Sequence, residues 1–255
     1  MIKFFRRIRR KLIDEGNLKR YLLYGIGEIL LVMIGILLAL QVNNWNQKNA
    51  NLKTEFKVLQ SINENLREDE ENMNQVLKKY ENTLSSIERI FIENDIPSDS
   101  LKGLFASSTS SRTFIPITSA FNRSMNSGEL SLIRENGLAQ MIQRLYNIEY
   151  SSFEVNQENV RDLHKQIRDL LTEFDAIEVR RFARTQEILI AQNSMPLNLQ
   201  NLALLIDNSD FRKILKHYHF NISNISQIID NIKIRNSQLQ KELNDYLNTE
   251  QFQSN

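Results

Sequence analysis

Cysteine is absent from the 255 residues, and glycine (7) and proline (3) are scarce. Without thiols there is no disulfide framework, no thiolate zinc or iron–sulfur site and no cysteine nucleophile, which removes several enzyme classes at once. A chain with so few turn residues is hard to build from many short strands. Long helices are therefore the expected regular structure. Charge of one sign is lacking too: 32 basic residues face 31 acidic ones, for a formal net charge of +1. That balance, with 41% apolar residues, excludes a disordered polyelectrolyte and leaves enough apolar material for a core.

What is present is distributed unevenly. Residues 1–20 carry Lys3, Arg6, Arg7, Arg9, Arg10, Lys11, Lys19 and Arg20 against Asp14 and Glu15, and the next basic residue is Lys48. Beyond residue 42 the balance turns acidic, with 28 acids to 24 bases. Between these regions, residues 21–42 are apolar apart from glycines, Gln41 and Glu28, and no polar side chain occurs from Ile29 to Leu40. At 1.5 Å per residue this stretch spans about 33 Å, close to the roughly 30 Å hydrocarbon core of a bilayer. A soluble reading requires a helix apolar on every side to be buried in a large core, for which nothing else here is apolar enough. A cleaved signal peptide requires a small-x-small exit. The exit Leu38-Ala39-Leu40-Gln41-Val42-Asn43 has none, so a retained anchor is expected.

Orientation follows from the basic bias, because Lys and Arg beside a membrane helix stay on the cytoplasmic side. Arg6, Arg7, Arg9, Arg10, Lys11, Lys19 and Arg20 are expected at the inner interface, and Trp45, among Asn43, Asn44 and Asn46, at the opposite one. The chain then divides into a basic cytoplasmic segment (1–20), a membrane helix (21–42), an extracytoplasmic helical domain (43–250) and a flexible tail (251–255). In the first segment Ile2, Phe5, Ile8 and Leu12 recur at helical spacing among the bases. Either this amphipathic stretch lies on anionic lipid or its charges only set topology.

Two features of the membrane helix go beyond anchoring. Gly27, Gly35 and Ala39 form a stripe of small residues, and Gly35-Ile36-Leu37-Leu38-Ala39 is a small-xxx-small pattern that lets two helices approach closely. Glu28 lies about 10–12 Å below the inner boundary at 1.5 Å rise. A carboxyl at that depth is costly unless protonated, paired or snorkelling, and is a functional candidate.

The segments Met1-Ile2-Lys3-Phe4-Phe5-Arg6-Arg7-Ile8-Arg9, Tyr24-Gly25-Ile26-Gly27-Glu28-Ile29 and Gly35-Ile36-Leu37-Leu38-Ala39-Leu40-Gln41-Val42-Asn43-Asn44-Trp45-Asn46 resemble an uncharacterised Gram-negative bacterial family of single-pass inner-membrane proteins, a domain of unknown function. A weaker echo is Ser124-Met125-Asn126-Ser127-Gly128-Glu129-Leu130-Ser131-Leu132-Ile133. The resemblance implies an inner-membrane protein with a periplasmic helical domain. It carries no activity or cofactor, and it draws attention to Glu28, Asn44 and Trp45.

Beyond the membrane, apolar residues recur in alternating steps of four and three. One series runs Phe56, Leu59, Leu66, Met73, Leu77, Tyr80, Leu84, Ile87, Phe91, with Asn63 and Glu70 as polar members; a second runs Leu163, Ile167, Leu170, Phe174, Ile177; a third runs from Phe211 through Leu215, Tyr218, Ile222, Ile225, Ile229, Ile232, Asn236, Leu239 and Leu243 to Tyr246. Sustained heptads mean long helices side by side, and Asn63, Glu70 and Asn236 at seam positions are candidates for fixing register. Ile96-Pro97-Ser98, Phe114 to Thr118, Ser127-Gly128, Asn136-Gly137 and Asn193 to Pro196 are the expected breaks. Short helices are expected at Ser100–Ser107 and Ser119–Asn126, capped by Ser98 and by Thr118 or Ser119, and a flexible loop at Ser107–Arg112. Long helices are expected from Leu138 to Ala191, with a bend, and from Ser209 to Leu247. The economical fold is all-α: one membrane helix continuing toward an elongated antiparallel helical bundle with coiled-coil-like packing. The poorest helical stretch is Asn46 to Asn51, where a break is the alternative.

Chemistry is sparse. His217 and His219 sit about 200° apart on a helix and cannot share a metal there. The run Glu68-Asp69-Glu70-Glu71 reads as a solvated face. Tyr146, Tyr150 and Phe153 read as core rather than pocket, and Arg180, Arg181 and Arg184 form a local basic cluster. No phosphate loop, nucleophile elbow or zinc-protease motif occurs, so no cofactor or metal is expected, and an acidic domain outside the cytoplasm argues against nucleic acid. Two readings remain: a non-enzymatic scaffold or adaptor that pairs with itself or with another envelope protein, and a sensory ectodomain that signals through a separate protein.

Overall fold

The computed structural model describes residues 18–93, 96–109, 112–177 and 198–249. Among these the regular elements are all helical: α1 (Leu18–Ile92), α2 (Ser98–Ser108), α3 (Ser119–Asn126), a 3-10 turn (Glu129–Leu132), α4 (Asn136–Arg144), a π-helical turn (Leu145–Glu149), α5 (Tyr150–Glu173), α6 (Leu199–Asp207) and α7 (Ser209–Leu247). The chain separates into two compact units, Met1–Thr54 and Glu55–Asn255, with the boundary inside α1. The basic segment 1–17, the cluster Arg180, Arg181 and Arg184, and the tail 251–255 lie outside the described residues.

In the first unit, no residue from Leu22 to Val42 is buried, Leu31 and Leu37 being 61% and 60% exposed. This helix is long and apolar enough to cross a membrane. The weak stretch 46–51 is helical throughout, and Gln47 Nε2 donates to Asn51 Oδ1 at 2.9 Å one turn on.

In the second unit α1 buries more than a two-column seam. Leu59, Leu66, Met73, Tyr80 and Ile87 form its centre line, all at most 2% exposed. Asn63, Leu77, Leu84 and Phe91 flank it on one side. On the other runs a strict seven-residue column, Glu55, Ile62, Asp69, Val76, Thr83 and Ile90, every member buried. Three adjacent columns make a stripe wide enough to face neighbours on both sides. Each buried Leu or Ile contributes about 1.5–3 kcal/mol relative to exposure.

Contacts between residues far apart in sequence fix the directions. Asn63 meets Asn244, Leu66 meets Asn236, and Glu88 meets His219, so α7 runs antiparallel to α1. α5 runs the other way. Tyr150 meets Asp69, and His164 meets Thr109, whose neighbour Ser107 accepts from Thr83. The later residue pairs with the later one, so α5 is parallel to α1, which corrects the antiparallel arrangement expected for all three long helices. The physical reason is the return leg: after α2 the segment 112–118 is not helical and descends along α1, with Ile117 at Asp69 and, further on, Arg134 at Glu55. At 3.3 Å or so per residue, extended chain covers in few residues what a helix covers in many.

Local signals explain most boundaries. Asn208 caps α7, accepting from the backbone N–H groups of Asp210 and Phe211. Gly128 adopts φ +77°, which favours glycine, and makes the expected turn. Other caps differ. The N-cap position of α2 is Pro97, with Ser98 already helical, and Thr118 precedes α3 without a side-chain cap. Asn136-Gly137 opens α4 instead of forming a separate turn, because Glu135 accepts from the Gly137 N–H. Ser108 and Thr109, expected in a flexible loop, are buried at the end of α2. The helix expected from Leu138 to Ala191 is divided by the π turn and stops at Glu173, where Asp175 takes φ +48° and the Ala176 N–H reaches back to Leu171 O at 2.8 Å.

Candidate functional site

In the first unit the stripe of small residues is open: a Cβ added at Gly27 or Gly35 meets nothing within 4 Å, and Ala39, one turn from Gly35, is exposed. Glu28 is half-buried and borders, with Leu22, Gly25, Ile29 and Met33, a groove of about 610 Å³. Trp45 is 63% exposed and Lys19 is exposed. Arg6, Arg7, Arg9, Arg10 and Lys11, and the side chain of Arg20, lie outside what is described.

In the second unit polar chemistry concentrates on the third column of α1. Glu55, 1% exposed, accepts from the Arg134 N–H (2.9 Å), Arg134 Nε (2.8 Å) and the Tyr246 hydroxyl (2.7 Å), which ties α1 to the segment before α4 and to the end of α7. Burial, then the Glu55 carboxylate, pushes the Tyr246 hydroxyl up to about 12. Two heptads on, about four turns, Asp69 is fully buried, accepting from the Tyr150 hydroxyl at 2.7 Å and the Ile117 N–H at 2.9 Å. Burial pushes its carboxyl up to about 6; the two hydrogen bonds oppose this and the charge of Glu68 adds to it. The reading of residues 68–71 as a solvated face is thus wrong for Asp69, while Glu68 and Glu71 are exposed. Glu70, half-buried, accepts from Gln240.

Around Asp69 stand the aromatic residues seen in the sequence. Tyr146 stacks on Phe121 at 4.5 Å and meets Tyr150 edge-on at 5.3 Å; Phe114 lies edge-on to both Tyr150 and Phe153. They are core. Tyr146 contributes a buried hydroxyl without a hydrogen-bond partner, pushed up by burial and then by the charge of Asp69.

The polar seam residues of α1 and α7 fall in two places. Asn236, fully buried, donates to Leu66 O at 2.9 Å and accepts from Gln240, whose amide also donates to Glu70 at 2.9 Å. About one turn away Asn63 donates to Asn244 at 2.8 Å, while its own oxygen is buried without a partner. Asn236 and Glu70 are therefore bridged by the Gln240 amide, and Asn63 stands apart.

A third cluster, missed in the sequence, sits at the π turn. Glu149 is held by Arg144 (3.4 Å) and by Arg235 of α7, at the edge of a hollow of about 280 Å³ lined also by Met141, Leu145 and Leu239. Residues five apart lie about 140° from each other on an α-helix, so a sequence reading with α-helical spacing does not pair Arg144 with Glu149. The wider π turn does. His219 pairs with Glu88 at 3.0 Å. Burial lowers the pKa of His164, which favours its neutral form, against the Thr109 carbonyl. Among the described residues no three His, Asp or Glu side chains are placed to hold a metal ion.

Comparison with known proteins adds a family and no chemistry. Searches of curated proteins and of solved structures return no match. The model of a family of unknown function (DUF6090) matches residues 28–174, from Glu28 in the apolar stretch to the residue after α5. That match covers more than half of the chain, and the chain belongs to this family.

Proposed function

We propose that this is a membrane-anchored, non-enzymatic interaction protein. Residues 21–42 cross the inner membrane once, the basic N-terminus is cytoplasmic, and the remainder is a periplasmic helical bundle with coiled-coil-like seams that serves as a scaffold or adaptor. The observation that carries this reading is that no residue from Leu22 to Val42 is buried and nearly all are exposed, in a chain whose other long helices sink their apolar faces into a core. An uncovered apolar helix needs lipid or another helix around it. The Gly27, Gly35 and Ala39 face suits a second copy of the chain or the helix of another envelope protein, and Glu28 supplies a polar contact within it. Asn63, Glu70 and Asn236 hold the register of α1 against α7.

The test is affinity purification of the full-length protein in mild detergent with crosslinking and mass spectrometry, alongside a periplasm-dependent reporter at the C-terminus. A self-oligomer or one recurrent envelope partner, with an active reporter, is expected. A monomer recovered alone removes the interaction role, and a reporter active only in the cytosol removes the topology. The hollow at the π turn favours a second reading, a sensory ectodomain.

A further inference from the structure

We propose that the hollow at the π turn binds a small organic anion, an oxyanion head on a short apolar body, between Arg144 and Arg235. The proposal is independent of membrane anchoring. Three elements converge there: Arg144 ends α4, Glu149 ends the π turn, and Arg235 comes from α7. Both guanidiniums converge on the same oxygen of Glu149, Oε1. A guanidinium carries five N–H donors in a fixed fork, and one carboxylate oxygen engages few of them. Among the residues lining the hollow, two cations face one anion.

The two arginines differ in availability. Arg144 is 65% exposed and its contact with Glu149 is long at 3.4 Å, whereas Arg235 is 43% exposed. Arg144 is therefore the cation that an incoming oxyanion engages first, bidentately if a carboxylate or phosphate. The apolar part of the lining is Met141, Leu145 and Leu239, the two leucines being buried, and Gln238 completes it. At about 280 Å³ the hollow is just below the usual range for small-molecule clefts. It holds the equivalent of about nine waters at roughly 30 Å³ each, room for a head group and a ring or short chain. Glu149 acts as the built-in counter-ion: it orients the guanidiniums and competes with the ligand for them.

That competition provides a test that a purely structural ion pair fails. The probe is 4-fluorobenzoate, titrated into the full-length protein in detergent and followed by fluorine NMR, with 4-fluorobenzyl alcohol as the uncharged control and acetate as the control without a body. Saturable binding of the benzoate is expected, with both controls weaker. Glu149→Gln removes the competing charge and tightens benzoate about tenfold, while Arg144→Gln weakens it about fivefold or more. Helicity by circular dichroism verifies each variant, and if Arg144→Gln fails to fold the Glu149→Gln arm decides. No saturation in either wild type or Glu149→Gln, equal binding of the alcohol, or Glu149→Gln binding no tighter than wild type each overturns the proposal.

Discussion

Leu37 and Leu66 are the same residue in the same helix, yet Leu37 is 60% exposed and Leu66 is fully buried. The stretch Leu22–Val42 is apolar on every face and uncovered; Glu55–Ile90 is striped, and its stripe is covered by α5, α7 and the segment between α2 and α4. Helix propensity does not separate the two. What separates them is where polar groups stand. The first stretch has Glu28 as its one Asp, Glu, Lys or Arg and no preferred inward face. In the second, Arg67, Glu68 and Glu71 hold the outer face to water, and Glu55, Asp69 and Thr83 each find a specific partner inside.

The sharpest way to break this comparison is to charge the first stretch. Ile34→Arg combined with Leu37→Arg places two guanidiniums near the middle of the span, at about 2.5–3.5 kcal/mol each on the insertion scale. The protein is expected to move from the carbonate-resistant membrane fraction to the supernatant, and retention in the membrane contradicts the anchor. Next in size is one substitution made in both stretches. Leu66→Ala opens a cavity in the core and is expected to cost about 2–5 kcal/mol in urea unfolding of the detergent-solubilised protein. Leu37→Ala is expected to shift the same transition by less than about 0.5 kcal/mol, since nothing within the fold covers it.

Asp69 tests the covered stretch by pH. Its carboxyl is raised from 3.8 to about 6, so between these values the folded protein binds more protons than the unfolded chain. The stability tied to this proton is present below pH 4 and is lost as pH rises to 6, by about 3 kcal/mol in all. Asp69→Asn cannot titrate. The stability of wild type minus that of Asp69→Asn is therefore expected to fall by about this amount from pH 4 to pH 7, measured by urea unfolding at each pH. A flat difference shows that the buried carboxyl is not desolvated.

Much of this architecture was legible because heptads and breakers are local. The series Phe211 to Tyr246 lies along the inner face of α7, and Gly128, Pro97 and Pro116 mark real boundaries. The third column of α1 was hidden because its members alternate in polarity: Glu55, Asp69 and Thr83 interrupt Ile62, Val76 and Ile90, so a search for apolar periodicity passes over it. Their partners lie 79, 81 and 24 residues away, and no local rule links Asp69 to Tyr150. The direction of α5 was hidden for a related reason, since it depends on a non-helical return leg whose length is not encoded in helical spacing. The π turn defeats a reading that assumes 3.6 residues per turn.

The smallest effects separate the seam asparagines. Asn236 is satisfied at both ends of its amide, by Leu66 O and by Gln240, whereas the oxygen of Asn63 is buried without a partner. Leucine has the branching and side-chain heavy-atom count of asparagine, so the substitution exchanges polar for apolar atoms with little change of shape. At Asn236 the change removes the buried hydrogen bond to Leu66 O and the one from Gln240, whose amide keeps Glu70, so Asn236→Leu is expected to destabilise by about 1 kcal/mol. At Asn63 it removes an unmet acceptor and frees Asn244, which is only half-buried and finds water. Asn63→Leu is therefore expected to stabilise, by about 0.5–1 kcal/mol. Paired urea titrations distinguish the two by sign. If both destabilise, the hydrogen bond from Asn63 to Asn244 is worth more than the desolvation of its lone oxygen.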